Sequence, residues 1–385
     1  MHSTQIHDVI SLMRSLFYFF GVWHRGDKAT VKETRVKIFY CIYHLFFPLS
    51  VFIGAVNSGK PDDSIFLADV SIGAAVLTVK FWILIWKQNE ILNLLDGVCV
   101  FCIRKDDDHN RFNDKLKGFM KFLLVCVIFS CAAGSSGSVI LSLIGNEKTL
   151  FLEIGFPLDY KNSQIAFWIA TIFLFTEVVL SIIVLFFTMI IWYMLFICSL
   201  RYEVLGSELK DMGRTSEKGD AKMTKWQAYN RFLGDLKTSI VAHLHLRQLT
   251  NEVESFFADI FLIQFGVSGL CICGSTYCLA FDISENLLER FIYVFVFFYY
   301  IAELFMITYF GNEIMLSSNR LSYNLFESNW YDQPQSTKKF VLIFGEYMKQ
   351  PQVLVIGKLY PLTLETFTRI LNSAYSMFNI LKSFQ

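Results

Sequence analysis

The sequence predicts an all-α, polytopic membrane protein with seven transmembrane helices, a cytoplasmic N-terminus and an extracellular C-terminus. Three observations predict it. Hydrophobic residues fill 54% of the 385 positions and charged ones only 18%, with 40 phenylalanines, a balance outside that of water-soluble domains. Seven apolar stretches are long enough to cross about 30 Å of hydrocarbon, which takes about 20 helical residues. The segments between them share their basic residues very unequally, and that asymmetry sets orientation.

The first 35 residues hold one short apolar run, Leu16 to Trp23, which cannot span and has no small-residue cleavage site after it, so it reads as an interfacial helix. The spans lie near Val36 to Val56, Phe66 to Trp86, Gly118 to Ile144, Phe167 to Ile197, Phe256 to Phe281, Leu287 to Phe310 and Tyr360 to Phe384. Segments 1–35, 87–117, 198–255 and 311–359 carry 25 Lys and Arg, against 3 in segments 57–65, 145–166 and 282–286. The positive-inside rule therefore places the first set in the cytoplasm, and seven spans bring the C-terminus outside. The expected organisation is a cytoplasmic segment 1–35, a six-helix bundle 36–310 with a cytoplasmic helical extension at about 198–255, an anchor segment 311–359, and a seventh helix, 360–385.

Within that extension Trp226, Tyr229, Leu233, Leu236, Ile240, Leu244 and Val253 keep helical spacing, so the fifth helix continues well below the membrane. Segment 205–221, with three glycines and seven charged residues, reads as the loop before it. Such a layer is a natural place for subunits to be held together.

In the final span Glu365, Arg369, Asn372, Ser376, Asn379 and Ser383 recur at spacings of 4, 3, 4, 3 and 4 and share one helical face. Polar groups at bilayer depth must face protein or water, so the stripe either packs against helices or lines a wet pathway; five turns of it favour water. Asp69, Lys80, Glu177 and Glu303 also lie within spans, and Lys80 either snorkels or pairs with Glu177 or Glu303.

The outer halves of the middle spans suggest a cavity. Residues Cys131 to Ser138 read Cys-Ala-Ala-Gly-Ser-Ser-Gly-Ser, small side chains that either let helices approach or leave room between them. Phe167, Trp168, Phe173 and Phe175 of the fourth span and Tyr293, Phe297, Tyr299 and Tyr300 of the sixth would supply aromatic walls. Such a pocket suits a small, neutral, largely apolar molecule; the alternative is ordinary helix packing. Gly134, Ser135, Ser138, Phe173, Tyr293, Phe297 and Tyr300 are the candidate contacts.

Other classes find little support. No phosphate-binding glycine loop, His-Glu-x-x-His or Gly-x-Ser-x-Gly motif is present, so catalysis is not expected, and neither is a cofactor. Zero net charge gives no reason to expect nucleic acid. The nine cysteines avoid the predicted external loops, and Cys99 with Cys102 forms only half a zinc site. His243 and His245 point about 200° apart on a helix and cannot share an ion. Arg201, in Leu200-Arg201-Tyr202-Glu203, reads as a cytoplasmic anchor, and no internal repeat supports a transporter of two related halves.

Four motifs then stand out: Tyr309-Phe310-Gly311-Asn312-Glu313, Glu327-Ser328-Asn329-Trp330-Tyr331-Asp332, Pro361-Leu362-Thr363-Leu364-Glu365-Thr366-Phe367, and Ala374-Tyr375-Ser376-Met377-Phe378. Together they resemble the C-terminal third of insect odorant receptors, and Gly21-Val22-Trp23 and the inverted seven-span layout fit the same family. The resemblance implies a ligand-gated, nonselective cation channel in the plasma membrane of olfactory sensory neuron dendrites. It implies a variable odorant-binding subunit that assembles with a shared, longer coreceptor into a heterotetramer around a central pore, surrounded by membrane lipid. It implies a cavity built by the second, third, fourth and sixth spans and a pore lined by the last helix. Carried over by position, Asn372, Ser376, Asn379 and Ser383 would line the pore, with Ile380 as the hydrophobic gate and Phe384 one turn further out. Lys382 departs from expectation, because a cation near the mouth opposes cation flow. A metabotropic seven-helix chemoreceptor, which needs an external N-terminus, and a secondary transporter are the alternatives.

Overall fold

The computed structural model describes every residue except 1, 5, 27, 59–60, 145–149, 151, 153, 156–158, 161, 215–223, 282–286, 358 and 384–385, and leaves out the side chains of 2–3, 61–63, 133–144, 287–289 and 291–292 as well. In chain order the elements are β1 (His2–Ser3), α1 (Asp8–Phe19), α2 (Val31–Asn57), α3 (Pro61–Trp86), α4 (Gln88–Cys99), β2 (Cys102–Ile103), α5 (Asp106–Ile144), α6 (Gln164–Lys210), α7 (Lys225–Ala280), α8 (Leu287–Phe326), α9 (Gln335–Met348), β3 (Val355–Ile356), β4 (Tyr360–Pro361) and α10 (Leu364–Ser383). Among the described residues α2, α3, α6, α7 and α8 are long and apolar enough to cross a membrane by length and composition. The predicted third span is the second half of α5, and the seventh is α10.

Length alone forces a layer outside the bilayer. At 1.5 Å per residue the 47-residue α6 and 56-residue α7 run roughly 70 and 84 Å, more than twice the hydrocarbon thickness. α7 starts with a capping box, in which Thr224 accepts from the Gln227 backbone and the Gln227 side chain returns to Thr224, so the start of the extension is specified locally. The projecting ends are tied by surface ion pairs, Lys115 to Glu203 at 2.5 Å, Lys210 to Glu327 at 2.7 Å and the half-buried Arg104 to Asp235 at 3.0 Å. Each contributes little singly.

The core is organised around α6, which packs most extensively on α8, while α3 bridges α2 and α7. Inside the membrane every freed backbone group needs a partner. Pro48 interrupts the α2 ladder and releases the His44 carbonyl one turn earlier. Thr78 of α3 donates to that carbonyl at 3.0 Å, and Ser71 donates to the Pro48 carbonyl at 2.8 Å. The α2–α3 packing thus repairs the break that the proline makes.

Several elements differ from the sequence expectation. The N-terminal helix runs Asp8–Phe19 instead of from Leu16 to Trp23, and it docks on the bundle. Ile10, Met13 and Phe17 are buried, and Trp23 Nε1 donates to the Leu84 carbonyl at 2.8 Å. The expected loop at 205–221 begins later, because α6 stays helical to Lys210. α8 continues sixteen residues past Phe310, and α4 and α9 are further helices with apolar faces buried on the projecting layer. Both are amphipathic, with one apolar stripe each, which is enough to hold a helix on the layer beneath it.

Arg201 is an anchor of a specific kind. Its guanidinium donates to the Gly97 and Val98 carbonyls at 2.8 and 2.9 Å, closing the C-terminal end of α4, and stacks 4.7 Å from the Phe101 ring. Cys99 is buried beside it, and burial pushes its thiol up to about 12, far from a thiolate ligand; Cys102 is exposed. His243 is wedged edge-on between Phe344 and Tyr347 of α9, 5.7 Å from each ring. Among the described residues no group of three or more His, Cys, Asp or Glu could hold a metal.

Candidate functional site: a divided cavity and an exposed final helix

Two adjoining cavities lie in the middle of the bundle. The larger, about 370 Å³, is bordered by α5, α6 and α8 and opens at the bundle surface beside exposed Phe129 and Phe298, and the smaller, about 210 Å³, is bordered by α2, α3, α6, α7 and α8. Leu185, Phe295 and Tyr299 border both and form the partition. Helical spacing builds the walls: Leu185, Thr188 and Trp192 fall on one face of α6, and Phe295, Tyr299 and Glu303 on one face of α8. Gly73 of α3 makes room for the Tyr300 hydroxyl, because a Cβ there would collide with it.

The floor of the smaller cavity is polar and closed. Lys80 and Glu303, each about 2% exposed, form an ion pair between α3 and α8. Gln264 of α7 donates to the second Glu303 oxygen at 2.9 Å and to Ser268 at 3.0 Å. Three helices are therefore joined at one carboxylate, the arrangement that makes a buried charge tolerable. Two further acids within the spans are also partnered: Glu177 pairs with His44 of α2, and Asp69 accepts from Ser275 at 2.9 Å. His44 was the partner that sequence reading missed, since nothing in spacing joins α2 to α6.

The final helix has the opposite character. Only Thr366 and Ala374 of α10 are buried, with Phe367, Ile370, Leu371 and Phe378 packed at the edge of the core. Its seat on α8 needs Gly311, whose missing Cβ leaves space for Leu362. Glu365, Arg369, Asn372, Ser376, Asn379 and Ser383 are all exposed. At 100° per residue their stripe is centred roughly opposite Ala374, so it faces away from the rest of this protomer. Arg369 bonds Glu365 at 2.6 Å, Ser376 donates to the Asn372 carbonyl at 2.9 Å, and Ser383 to the Ile380 carbonyl at 2.7 Å. The Asn372 and Asn379 carboxamides have no partner among the described residues. Ile380 is 57% exposed at the stripe's edge, and Lys382, adjacent to Ser383, points about 100° from the stripe centre.

The structure gathers only part of the predicted contact set. Tyr300 lines the smaller cavity. Phe297 packs partly buried against the core, the Tyr293 ring lies tilted against Phe66 at 4.2 Å, and Phe173 sits against Tyr43 at 5.2 Å; none of the three lines either cavity. Gly134, Ser135 and Ser138 are backbone positions of α5 whose side chains, like the whole of Phe384, lie outside the described residues. Sequence reading missed Thr188, Trp192, Gln264 and Phe295. The available signal was polar atoms four residues apart, Thr188 and Trp192, in an otherwise apolar stretch.

Comparison with known proteins gives the class. The seven-helix architecture superposes on the insect olfactory receptor OR5 from Machilis hrabei in complex with eugenol, with a TM-score of 0.78 over 98% of both chains at 14% identity, and on the same receptor in another structure with a TM-score of 0.77. The family model described as 7tm odorant receptor matches residues 67–375. The chain belongs to that family, whose members are receptors and ion channels, not enzymes. Odorant receptor 94a of Drosophila melanogaster is 21% identical over 96% of each chain. Odorant receptor 23a of the same species is 27% identical over 61% of this chain, and that match spans only 59% of the relative.

Proposed function

We propose that this chain is the odorant-binding subunit of a ligand-gated, nonselective cation channel that works with a coreceptor, its N-terminus in the cytoplasm and its last helix at the pore. The observation that carries the proposal is the polar stripe of α10, exposed along its whole described length on the face turned away from its own protomer. Unpartnered carboxamides at Asn372 and Asn379 are costly against lipid, whereas water or neighbouring subunits satisfy them. Ile380 beside that wet stripe is placed to block ions by dewetting when copies of the helix converge on one axis. Lys382, off the stripe, would face a neighbouring subunit instead of the conduit.

The ligand would occupy the divided cavity, a position supported by its size, its aromatic walls and the neutral molecule named with the Machilis hrabei receptor. Binding opens the channel only through a difference in affinity between closed and open arrangements. Tyr299 and Glu303 offer the route: the partition residue lies one turn from the carboxylate joined to α7, and Gly269 of α7 receives Ile370 of α10. The 25-to-3 division of basic residues supports the orientation and a multi-pass place in the plasma membrane, which the resemblance assigns to olfactory neuron dendrites.

The test is electrical. Cells expressing this chain with a coreceptor should pass odor-evoked cation current, and Ile380→Ala should raise the basal current. Unchanged currents in that variant, at normal surface expression, would overturn the gate assignment. Epitope tags read on intact cells should be accessible at the C-terminus alone; an accessible N-terminus would favour a metabotropic receptor.

A further inference from the structure

The larger cavity carries a chemical signature beyond its shape. Thr188 and Trp192 of α6 are 3% and 8% exposed, and neither Thr188 Oγ1 nor Trp192 Nε1 has a hydrogen-bond partner among the described residues. Native interiors rarely leave donors in this state. The two residues sit four apart on one face of α6, one turn along the same cavity wall. Indole nitrogen can only donate, and a threonine hydroxyl can donate to an oxygen beyond its own helix.

The remaining lining restricts the occupant further. Phe129, Phe295, Phe298 and Met189 supply a soft apolar wall, open at exposed Phe129 and Phe298, and among the described residues no Asp, Glu, Lys, Arg or His lines this cavity. A cationic amine or a carboxylate would be desolvated there without a counter-charge. A plain hydrocarbon would fill the space and leave both donors unsatisfied. A carbonyl oxygen has two lone pairs and can accept from both donors at once while its carbon chain lies among the aromatic rings.

We propose that Trp192 and Thr188 form a two-donor clamp that selects neutral volatiles bearing a carbonyl oxygen, as in ketones and esters. This rests on the reading of the cavity as the odorant site and adds the ligand's chemical class. Both donors lie on α6, away from the Lys80, Glu303 and Gln264 cluster, so ligand selection and the buried ion pair are separate devices.

Cells expressing the chain with a coreceptor would be tested with a panel of ketones and esters, each beside the alkene in which a methylene replaces the carbonyl oxygen, and beside the matching primary amine. Each carbonyl compound should be about tenfold more potent than its alkene, the scale of one or two neutral hydrogen bonds, and amines should be inactive. Trp192→Phe keeps the ring and removes the donor, and Thr188→Val keeps the shape. Each should reduce the carbonyl-to-alkene potency ratio by about threefold to tenfold, and the double variant should bring it to about one. A merely structural role would shift both compounds together and leave the ratio intact, which would overturn the proposal. Alkenes or amines equal to ketones on the unaltered receptor would overturn it too. Silence to the whole panel, with both subunits at the surface, would instead sink the receptor reading on which it stands.

Discussion

α6 and α10 are both membrane helices of one chain, yet one is finished within the protomer and the other is not. The membrane-crossing window of α6 is 72% buried inside this chain, and α10 buries only Thr366 and Ala374. α6 carries Thr188 and Trp192 on the wall of a cavity within the bundle, whereas α10 turns six polar side chains away from the other helices of its own chain. A lone protomer thus frames the candidate ligand cavity with its own helices but supplies only one polar helix face to the proposed conduit. On the proposed function, recognition is built from one subunit and conduction needs several.

The largest effect should come from breaking the buried pair that links cavity floor to bundle. Lys80→Met leaves Glu303 charged and unpaired, at a cost of about 3–5 kcal/mol, enough to remove the protein from the cell surface. Adding Glu303→Gln should restore much of the surface signal, measured by labelling intact cells. If the single variant reaches the surface normally, the pair does not have the structural weight given to it.

The helices themselves offer the next contrast. Leu195→Ala, at a fully buried position of α6, should cost about 2–5 kcal/mol and lower the melting temperature of the detergent-solubilised protein. Ile380→Ala in exposed α10 should move that melting temperature little, within about 0.5 kcal/mol, while changing the current. A large stability loss from Ile380→Ala would mean that the helix belongs to the protomer core after all. Asn372→Leu with Asn379→Leu sharpens the point, since it should preserve folding and reduce single-channel conductance.

The smallest effect concerns the projecting layer. Burial, reinforced by the nearby Arg247 charge, lowers His243 from 6.5 to about 4, so the folded layer holds it neutral. The unfolded chain then takes the proton first, and stability falls as pH drops from about 6.5 towards 4, staying flat above that window. His243→Phe should flatten the slope between pH 7 and 5 in thermal melts of purified protein. An unchanged slope would assign the pH dependence to other groups.

Span positions, the polar stripe and the basic-residue asymmetry were legible in the sequence because each depends on local periodicity or on residue type counted along the chain. The extended α7 was legible for the same reason. The partner of Glu177, the choice of Glu303 by Lys80, and the cavity wall of Thr188, Trp192 and Phe295 were not. They depend on which faces of distant helices meet, and an apolar helix bordered by lipid on one side and protein on the other carries no periodic signal to tell the two apart. Sequence by itself therefore determined that this protein crosses the membrane and that its last helix has one polar face. Tertiary structure alone decided where the buried charges are neutralised and where an empty space remains, because both are set by packing between segments up to two hundred residues apart.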